Sequence, residues 1–228
     1  MVPEKEIMSV RIKFSKVGSL MYISHLDLAR TMQRIMVRSG VDIWYSEGFN
    51  PQPRIVFALP LPVGVESECE LMDIKINHPM EFDEIKDRIQ RNFPDEMRVI
   101  DVYSPEVKFK GICYADYTIK LYSPNFEADT HERINKLFSN ECLITKRSKS
   151  GEKEVNICDF IKSINAKREG EYVEISAVIN AGNESNLNPE LIVEAIKKHL
   201  GVMSLNDMSE YATIMRNRML DEQLNIFK

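Results

Sequence analysis

Apolar and polar residues alternate along the first stretch of the chain. Val10, Ile12 and Phe14 share one side of residues 9–17, which is the period-2 pattern of a half-buried β-strand. Residues 24–40 then follow the period of an amphipathic helix. The pattern up to residue 104 predicts the order strand, helix, strand, one or more further strands, helix, strand. The predicted strands are 9–17, 41–48, 54–59, 69–76 and 97–104, and the predicted helices are 24–40 and 81–93.

The first predicted helix carries a complete set of end signals. Ser24 is a natural N-cap, and Asp27 stands three residues later, as in a capping box. Ile23 and Leu28 are placed to form a hydrophobic staple around the cap. Gly40 suits the left-handed residue that ends a helix. We therefore expect a helix with well-defined ends.

Residues 117–228 show a similar order of elements. The predicted strands are 117–123, 142–148, 153–161, 171–179 and 211–219, the predicted helices are 125–140 and 188–201, and a polar turn is predicted at 149–152. The chain is thus predicted to be an α+β protein of two ferredoxin-like β-α-β-β-α-β units. We expect the first unit at residues 1–104, a linker at 105–116 and the second unit at 117–228.

Charge is distributed unevenly along the chain. The formal net charge is −5, yet residues 1–64 hold eight Lys/Arg and five Asp/Glu, whereas the remainder holds 22 and 30. A globally acidic chain is a poor general binder of nucleic acid. Any such binding should therefore be confined to a local basic face in the first quarter of the chain.

The four cysteines, Cys69, Cys113, Cys142 and Cys158, are far apart and form no C-x-x-C motif. We interpret them as buried, reduced thiols and expect no metal site and no cofactor. The first ten residues lack the apolar block of a signal peptide, and no later run approaches a membrane span. These features predict a cytoplasmic protein without membrane contact.

The first helix also carries a row of arginines opposite its apolar stripe. Arg30, Arg34 and Arg38 recur every four residues, with no acidic neighbour expected at helical spacing. The guanidinium groups of this row, called the ridge, repel one another slightly, and phosphates or carboxylates bound across them would offset the repulsion. A solvated polar face is the ordinary alternative. Further cations would extend the ridge if they lie nearby: Lys13, Lys16 and Arg54.

His25 occupies the first position of the same helix, where the cap does not require it. A histidine there can act as an acid or base, or hydrogen-bond a ligand. The ordinary alternative is a surface histidine packed on the preceding loop. Asp27 competes for the free N–H groups of the helix start, which argues against a simple phosphate cradle.

Residues 46–54 combine stiff and permissive positions. Pro51 and Pro53 restrict the backbone, whereas Gly48 permits positive φ, so we expect a defined loop. Its side chains offer a stacking ring, an amide and a guanidinium, which suit a nucleotide or single-stranded RNA: Phe49, Asn50 and Arg54. A stiff hairpin that binds no ligand is the alternative.

Three motifs follow one another within about 45 residues: Ser24-His25-Leu26-Asp27-Leu28 with Arg30 and Arg34, Ser46-Glu47-Gly48-Phe49-Asn50-Pro51 with Pro53-Arg54, and Leu61-Pro62-Val63-Gly64 with Ser67. Together they resemble the signature of a bacterial family of radical-SAM-linked proteins, which is defined by a domain of unknown function. The resemblance implies domains that occur alone or attached to the C-terminus of a radical SAM protein, often near genes for RNA maturation and ribosomal proteins. Gln52 stands where that family often has His, which argues against a second catalytic histidine.

The leading hypothesis is an accessory module that binds RNA and works with a radical SAM enzyme in RNA or ribosome modification. The sequence has no C-x-x-x-C-x-x-C motif, so the chain is not itself the radical SAM catalyst. Two alternatives remain open: a metal-independent RNA-processing enzyme using His25, and a protein–protein adaptor. The candidate binding residues are His25, Asp27, Arg30, Arg34, Arg38, Glu47, Phe49, Asn50 and Arg54.

Overall fold

A computed structural model describes residues 6–148, 151–182, 184–203 and 209–228, with the backbone alone described at 146–148 and 152. The chain divides into two compact units. Unit 1 runs up to Phe109 and includes Lys228, and unit 2 comprises Lys110–Phe227. The division falls within residues 105–116, the segment expected to link the two halves.

The described part of unit 1 is an antiparallel sheet with two helices. Its elements are β1 (Met8–Lys16), α1 (His25–Ser39), β2 (Ile55–Phe57), β3 (Val65–Ile76), α2 (Phe82–Gln90) and β4 (Met97–Tyr103). Strands β1 and β3 pair along most of the length of β1, β4 pairs with β1, and β2 pairs with β3, giving the order β4-β1-β3-β2. This is the ferredoxin-like β-α-β-β-α-β arrangement, and the predicted fold class is confirmed.

The core of unit 1 follows from the alternation in β1. Val10, Ile12 and Phe14 are fully buried and belong to the same cluster as the apolar stripes of both helices. Burial of this surface, at about 25 cal/mol per Å², holds α1 on the sheet and leaves its opposite face in solvent. The stripes are formed by Leu28, Met32, Ile35 and Met36 of α1 and by Ile85 and Ile89 of α2.

The C-terminal end of α1 is as the sequence predicts. Gly40 has φ 69° and ψ 16°, the left-handed conformation that glycine adopts without steric cost. Its carbonyl oxygen accepts a hydrogen bond from Arg88 Nη1 at 3.0 Å, which ties the end of α1 to α2.

Unit 2 repeats the same strand order. Its elements are β5 (Tyr114–Tyr122), α3 (Thr130–Phe138), β6 (Leu143–Ser148), β7 (Gly151–Asn156), β8 (Ile161–Glu169), β9 (Tyr172–Asn180), α4 (Glu190–Leu200) and β10 (Tyr211–Leu220). Strands β10, β5, β9 and β8 lie side by side in that order, and each of these pairings is antiparallel. A separate two-stranded hairpin, β6 with β7, lies between α3 and β8 in the chain.

The second strand of unit 2 differs from the prediction. Residues 142–148 and 153–161 were expected to supply it, but they form the inserted hairpin and a 3₁₀ turn at Ile157–Phe160. The strand is β8, which the sequence did not reveal. A register shift between Ile161 and Ser163 breaks the alternation there. The turn expected at 149–152 lies partly outside the described residues.

Each unit contains an arginine–aspartate pair between neighbouring strands. In unit 1, Arg11 is fully buried and its Nε and Nη2 donate to the two carboxylate oxygens of Asp73 at 2.7 and 2.8 Å. In unit 2, Arg218 of β10 is hydrogen-bonded to Asp116 of β5 and is about half exposed. The pair in unit 1 is therefore much better shielded from water.

No helix in the described ranges is long and apolar enough to cross a membrane.

Candidate nucleic-acid interface

The start of α1 is closed by hydrogen bonds between two nearby residues. The backbone N–H of Asp27 donates to Ser24 Oγ at 3.1 Å, and the Ser24 hydroxyl donates to Asp27 Oδ2 at 2.7 Å. The predicted N-cap is confirmed, but the return bond goes to the hydroxyl and not to the backbone N–H of a full capping box. Both side chains are thus engaged with the helix end.

Arg30 has an acidic partner on the same helix. Its Nη1 lies 3.5 Å from Asp27 Oδ1, and both side chains are well exposed. The expectation that the three arginines lack an acidic neighbour is therefore wrong for Arg30, because Asp27 lies one turn earlier on the same face. An exposed pair of this kind is weak, but it offsets part of the charge.

Arg34 and Arg38 have no such compensation. Both are exposed on the solvent side of α1, and neither forms a hydrogen bond or ion pair with any described residue. They lie one turn apart, so their charges repel by a few tenths of a kcal/mol. These two guanidinium groups are free to bind an anion.

Two apolar side chains interrupt this arginine face. Leu26 is 58% exposed and Val37 is 64% exposed. Both positions follow from a helical wheel of residues 25–39, although the prediction for that face rested on its charges alone. The exposed surface of α1 is therefore mixed, with cations and aliphatic groups side by side.

His25 is exposed and packs against an aromatic ring of β2. Its ring meets Phe57 edge to face, with centroids 5.3 Å apart and planes at 82°. No residue in the described part of the chain hydrogen-bonds to the imidazole. This contact brings the start of α1 next to the strand that follows the 46–54 loop, and it supplies no orienting partner for acid–base catalysis.

The 46–54 loop is closed at its base by a short ladder of backbone bonds. Tyr45 and Pro53 form an antiparallel bridge. The N–H of Ser46 donates to Gln52 O at 2.9 Å, and the N–H of Gln52 donates to Ser46 Oγ at 3.0 Å. Residues 41–48 thus form isolated bridges in place of the strand that was predicted there, because the chain leaves the sheet to build this loop.

The side chains of the loop point into solvent. Phe49 at the tip is fully exposed, and Gly48 before it has φ 131°, a conformation that favours glycine. Glu47, Asn50 and Arg54 are exposed as well, and their side chains make no hydrogen bond or ion pair within the described residues. A fully exposed phenylalanine on a fixed loop base is suited to contact a partner.

The two lysines expected near the arginines of α1, Lys13 and Lys16, differ in their surroundings. Lys16 is buried and its Nζ donates to Leu20 O at 3.1 Å, so it adds no charge to the surface. Lys13 is only partly exposed. No hydrogen bond or ion pair among the described residues joins the arginines of α1 to the 46–54 loop, and the His25–Phe57 contact links the start of α1 only to β2, the strand that follows the loop.

The cysteines do not all fit the prediction of buried thiols. Cys69 and Cys142 are buried, whereas Cys113 and Cys158 are partly exposed. Burial raises the pKa of the Cys142 thiol to about 11, and burial also raises the pKa of Cys158. Within the described ranges, no three His, Cys, Asp or Glu side chains are grouped to hold a metal ion. The raised pKa values of Cys142 and Cys158 are the opposite of the lowered pKa that a reactive thiolate needs.

Comparison with solved structures supports the fold alone. The chain is similar to a protein in the crystal structure of a Cbf5-Nop10-Gar1 complex, at 12% identity and a TM-score of 0.52. The similarity covers 92% of this chain and 48% of the other, so the chain spans about half of that protein's length. An unknown protein from Galdieria sulphuraria is similar at 7% identity and a TM-score of 0.26, over 92% of this chain and 99% of its own, which carries no argument.

Comparison of sequences gives a clearer result. No curated protein sequence matches the chain. Residues 9–189, however, match the family described as "Uncharacterized protein conserved in bacteria (DUF2344)". That range includes α1, the 46–54 loop and most of unit 2. The chain therefore belongs to this bacterial family.

Proposed function

We propose that the chain is an accessory module that binds single-stranded RNA through α1 and the 46–54 loop. The observation that carries the proposal is the pair Arg34 and Arg38, which are exposed and unpaired within the described structure. Phe49 at the tip of the fixed loop adds a ring on which a base can stack.

The physical argument is one of local charge. The chain as a whole is acidic, so binding by general attraction is weak. Two uncompensated guanidinium groups one turn apart can instead bind neighbouring phosphates, and arginine suits bidentate phosphate contacts. Arg54 is the last residue of the 46–54 loop, and its side chain is also unpaired among the described residues. The loop therefore adds a third cation close to Phe49 in sequence.

The proposed partner is a radical SAM enzyme that modifies RNA or the ribosome. The support is the resemblance of residues 22–67 to radical-SAM-linked proteins, together with the lack of a cluster-binding motif in this sequence. In this proposal the partner carries out the reaction and the present chain positions the RNA. Co-purification of the chain with such an enzyme tests this part separately.

RNA binding is tested by fluorescence anisotropy with a labelled single-stranded oligonucleotide. We expect Arg34→Ala/Arg38→Ala to weaken binding by at least about tenfold at low salt. The slope of log K against log salt should fall by about 1.4, because each phosphate contact on single strands contributes about 0.7. The matched control, Arg98→Ala/Lys108→Ala, removes the same charge from two exposed positions of unit 1 outside α1 and the loop, whose side chains make no hydrogen bond or ion pair within the described residues. Equal affinities for the two double variants contradict the proposal.

A protein–protein adaptor is the second candidate, and the exposed Leu26 and Val37 favour it. Aliphatic groups on a charged helix face are typical of a protein contact and add little to phosphate binding. Leu26→Ser/Val37→Ser should then abolish co-purification with the partner while RNA affinity is unchanged. If the arginine variants alone release the partner, charge and not apolar contact holds it.

A further inference from the structure

Strand β8 lies at the outer edge of the sheet in unit 2. It pairs with β9 on one side, and no strand in the described part of the chain pairs with it on the other. An edge of this kind presents backbone N–H and C=O groups in the arrangement that a further strand requires. The edge is therefore open to another chain wherever its own groups are not already bonded.

The side chain of Asn135 in α3 occupies the middle of this edge. Its Nδ2 donates to Ala166 O at 2.9 Å, and its Oδ1 accepts from Ala166 N at 2.8 Å. In an antiparallel strand the N–H and C=O of one residue point to the same side, so both groups of Ala166 point away from β9. The amide of Asn135 thus makes the two hydrogen bonds that a residue of an added strand would make.

The backbone alternation identifies the rest of the edge. Ile164 and Arg168 lie two residues before and after Ala166, in the stretch that pairs regularly with β9, so their backbone groups also point outward. Within the described residues, no other backbone hydrogen bond reaches these outward groups. Asn135 is therefore the contact that closes the edge at its centre.

A second copy of β8 is the partner that fits this edge. In an antiparallel pairing of two copies with Ala166 opposite Ala166, each charged residue of one copy faces an uncharged residue of the other. Like charges directly opposite one another destabilise a pair of strands, and this register has none from 163 to 169. The facing residues are Lys167 with Asn165, Arg168 with Ile164, and Glu169 with Ser163.

We propose that Asn135 prevents β8 of one molecule from pairing with β8 of a second copy of this chain. The β8 edge is thus an interaction surface for a second copy that the fold keeps closed through one side chain. None of its residues belongs to α1 or to the 46–54 loop, so the inference does not depend on the proposed RNA binding.

The outer strand of unit 1 supplies a matched comparison. At β4, Gln90 Oε1 of α2 accepts from Val99 N at 2.7 Å, so an amide from a helix also closes this edge. The pairing of β4 with β1 contains a register shift, which interrupts the regular order of its edge groups. Such an edge resists strand addition even without its amide, whereas β8 is regular over residues 163–169.

The first measurement is the mass of the full chain in solution, by size-exclusion chromatography with light scattering. Asn135→Leu removes both bonds to Ala166, and we expect it to form a dimer at concentrations where the unaltered chain is a monomer. The control Gln90→Leu removes the amide from β4 and should remain a monomer. An Asn135→Leu chain that stays monomeric, or dimerises no more than Gln90→Leu, overturns the inference.

A double variant locates the contact. Arg168→Pro removes one outward N–H of β8 and leaves the bonds to β9 in place, because the backbone groups of Arg168 point away from β9. Asn135→Leu/Arg168→Pro should therefore return to the monomer. A dimer that persists in the double variant associates through another surface, and the role given to β8 is then wrong.

Hydrogen exchange in the unaltered chain tests the closure without any substitution. We expect the amide of Ala166 to be protected by Asn135, whereas the outward amides of Ile164 and Arg168 exchange rapidly. Nuclear magnetic resonance resolves the three amides individually. Equal protection of all three would show that the edge is already paired in the unaltered chain, and rapid exchange at Ala166 would show that Asn135 does not close it.

Discussion

Units 1 and 2 share one strand order but add different structures to it at the same place. In unit 1 the chain between the first helix and the second strand, residues 40–54, forms the loop that carries Phe49. In unit 2 the corresponding connection between α3 and β8 contains the β6–β7 hairpin. The framework is therefore kept, and the connection after the first helix is where each unit gains its own surface.

The first helices of the two units also differ in how their arginines are used. In α3, Arg133 donates to Glu127 Oε2 at 2.8 Å and to Leu200 O at 3.3 Å, so its charge belongs to the unit's own structure. In α1, Arg34 and Arg38 have no such partners among the described residues. The contacts of Arg133 explain the arginine of α3 by stability, whereas those of α1 are left for the proposed RNA binding to explain.

The largest expected difference concerns the two arginine–aspartate pairs. Asp73→Ala leaves the fully buried Arg11 without its carboxylate, and we expect a loss of about 3 kcal/mol in the free energy of unfolding. Asp116→Ala should cost about 1 kcal/mol, because its partner Arg218 is about half exposed and can be hydrated. Urea denaturation of both variants measures the difference. Equal losses would show that the burial of Arg11 is not what makes its pair strong.

A second prediction concerns the alkaline pH dependence of unit 2. The pKa of Cys142 is raised to about 11 in the folded chain, so the folded state retains a proton that the unfolded state releases first. The associated stability is fully present below about pH 8 and is lost as the pH rises towards 11, by about 2 kcal/mol. Cys142→Ala should remove this part of the decline.

The control for this prediction is Cys113→Ala, which changes a partly exposed thiol of the same unit. Denaturation curves at pH 8, 9 and about 10.5 compare the three proteins. If Cys142→Ala declines as steeply as the unaltered chain, burial of that thiol does not contribute to the pH dependence.

The third prediction compares the starts of the first helices. Ser24→Ala removes the side-chain bond to the N–H of Asp27 and should cost about 1 kcal/mol. Asp129, at the corresponding position before α3, makes no side-chain capping bond, so Asp129→Ala should cost less than about 0.5 kcal/mol. Thermal unfolding followed by circular dichroism distinguishes them. A larger loss for Asp129→Ala than for Ser24→Ala would contradict the conclusion that Ser24 is the stronger N-cap.

The elements that the sequence predicts well are those with an unbroken period. Val10, Ile12 and Phe14 alternate without interruption, and α1 has both its cap and its terminal glycine, so their positions follow from local rules. Strand β8 was missed because the register shift after Ile161 puts Ile164 and Ala166 out of phase with it. A bulge of this kind depends on the partner strand and leaves no simple pattern in the chain.

The features of the candidate site likewise include some that the sequence could predict and some that it could not. The pair of Asp27 with Arg30 and the exposure of Leu26 follow from helical spacing and could have been read from the sequence. The contact of His25 with Phe57 joins a helix to a strand 32 residues later, and spacing does not reveal it. Likewise, the stacking of Tyr122 on Tyr211 cannot be read from spacing, because the two residues are neighbours only after the sheet of unit 2 has formed.

The smallest effect on stability is expected where the effect on binding is proposed to be large. Arg34→Ala and Arg38→Ala should each change the free energy of unfolding by less than about 0.5 kcal/mol, because both side chains are exposed and unpaired within the described residues. Either change could stabilise the chain slightly by removing repulsion between neighbouring turns. Arg133→Ala should instead cost about 1 kcal/mol, since it loses the contacts to Glu127 and Leu200.

Urea denaturation of these three variants therefore tests whether the two first helices hold their arginines for different reasons. A loss of 1 kcal/mol or more in Arg34→Ala or Arg38→Ala would mean that the guanidinium groups of α1 support the fold, as Arg133 does in α3. If the α1 variants keep their stability and lose RNA affinity, the arginines of α1 serve binding in unit 1. The arginine at the equivalent helix of unit 2, α3, then serves the stability of the fold.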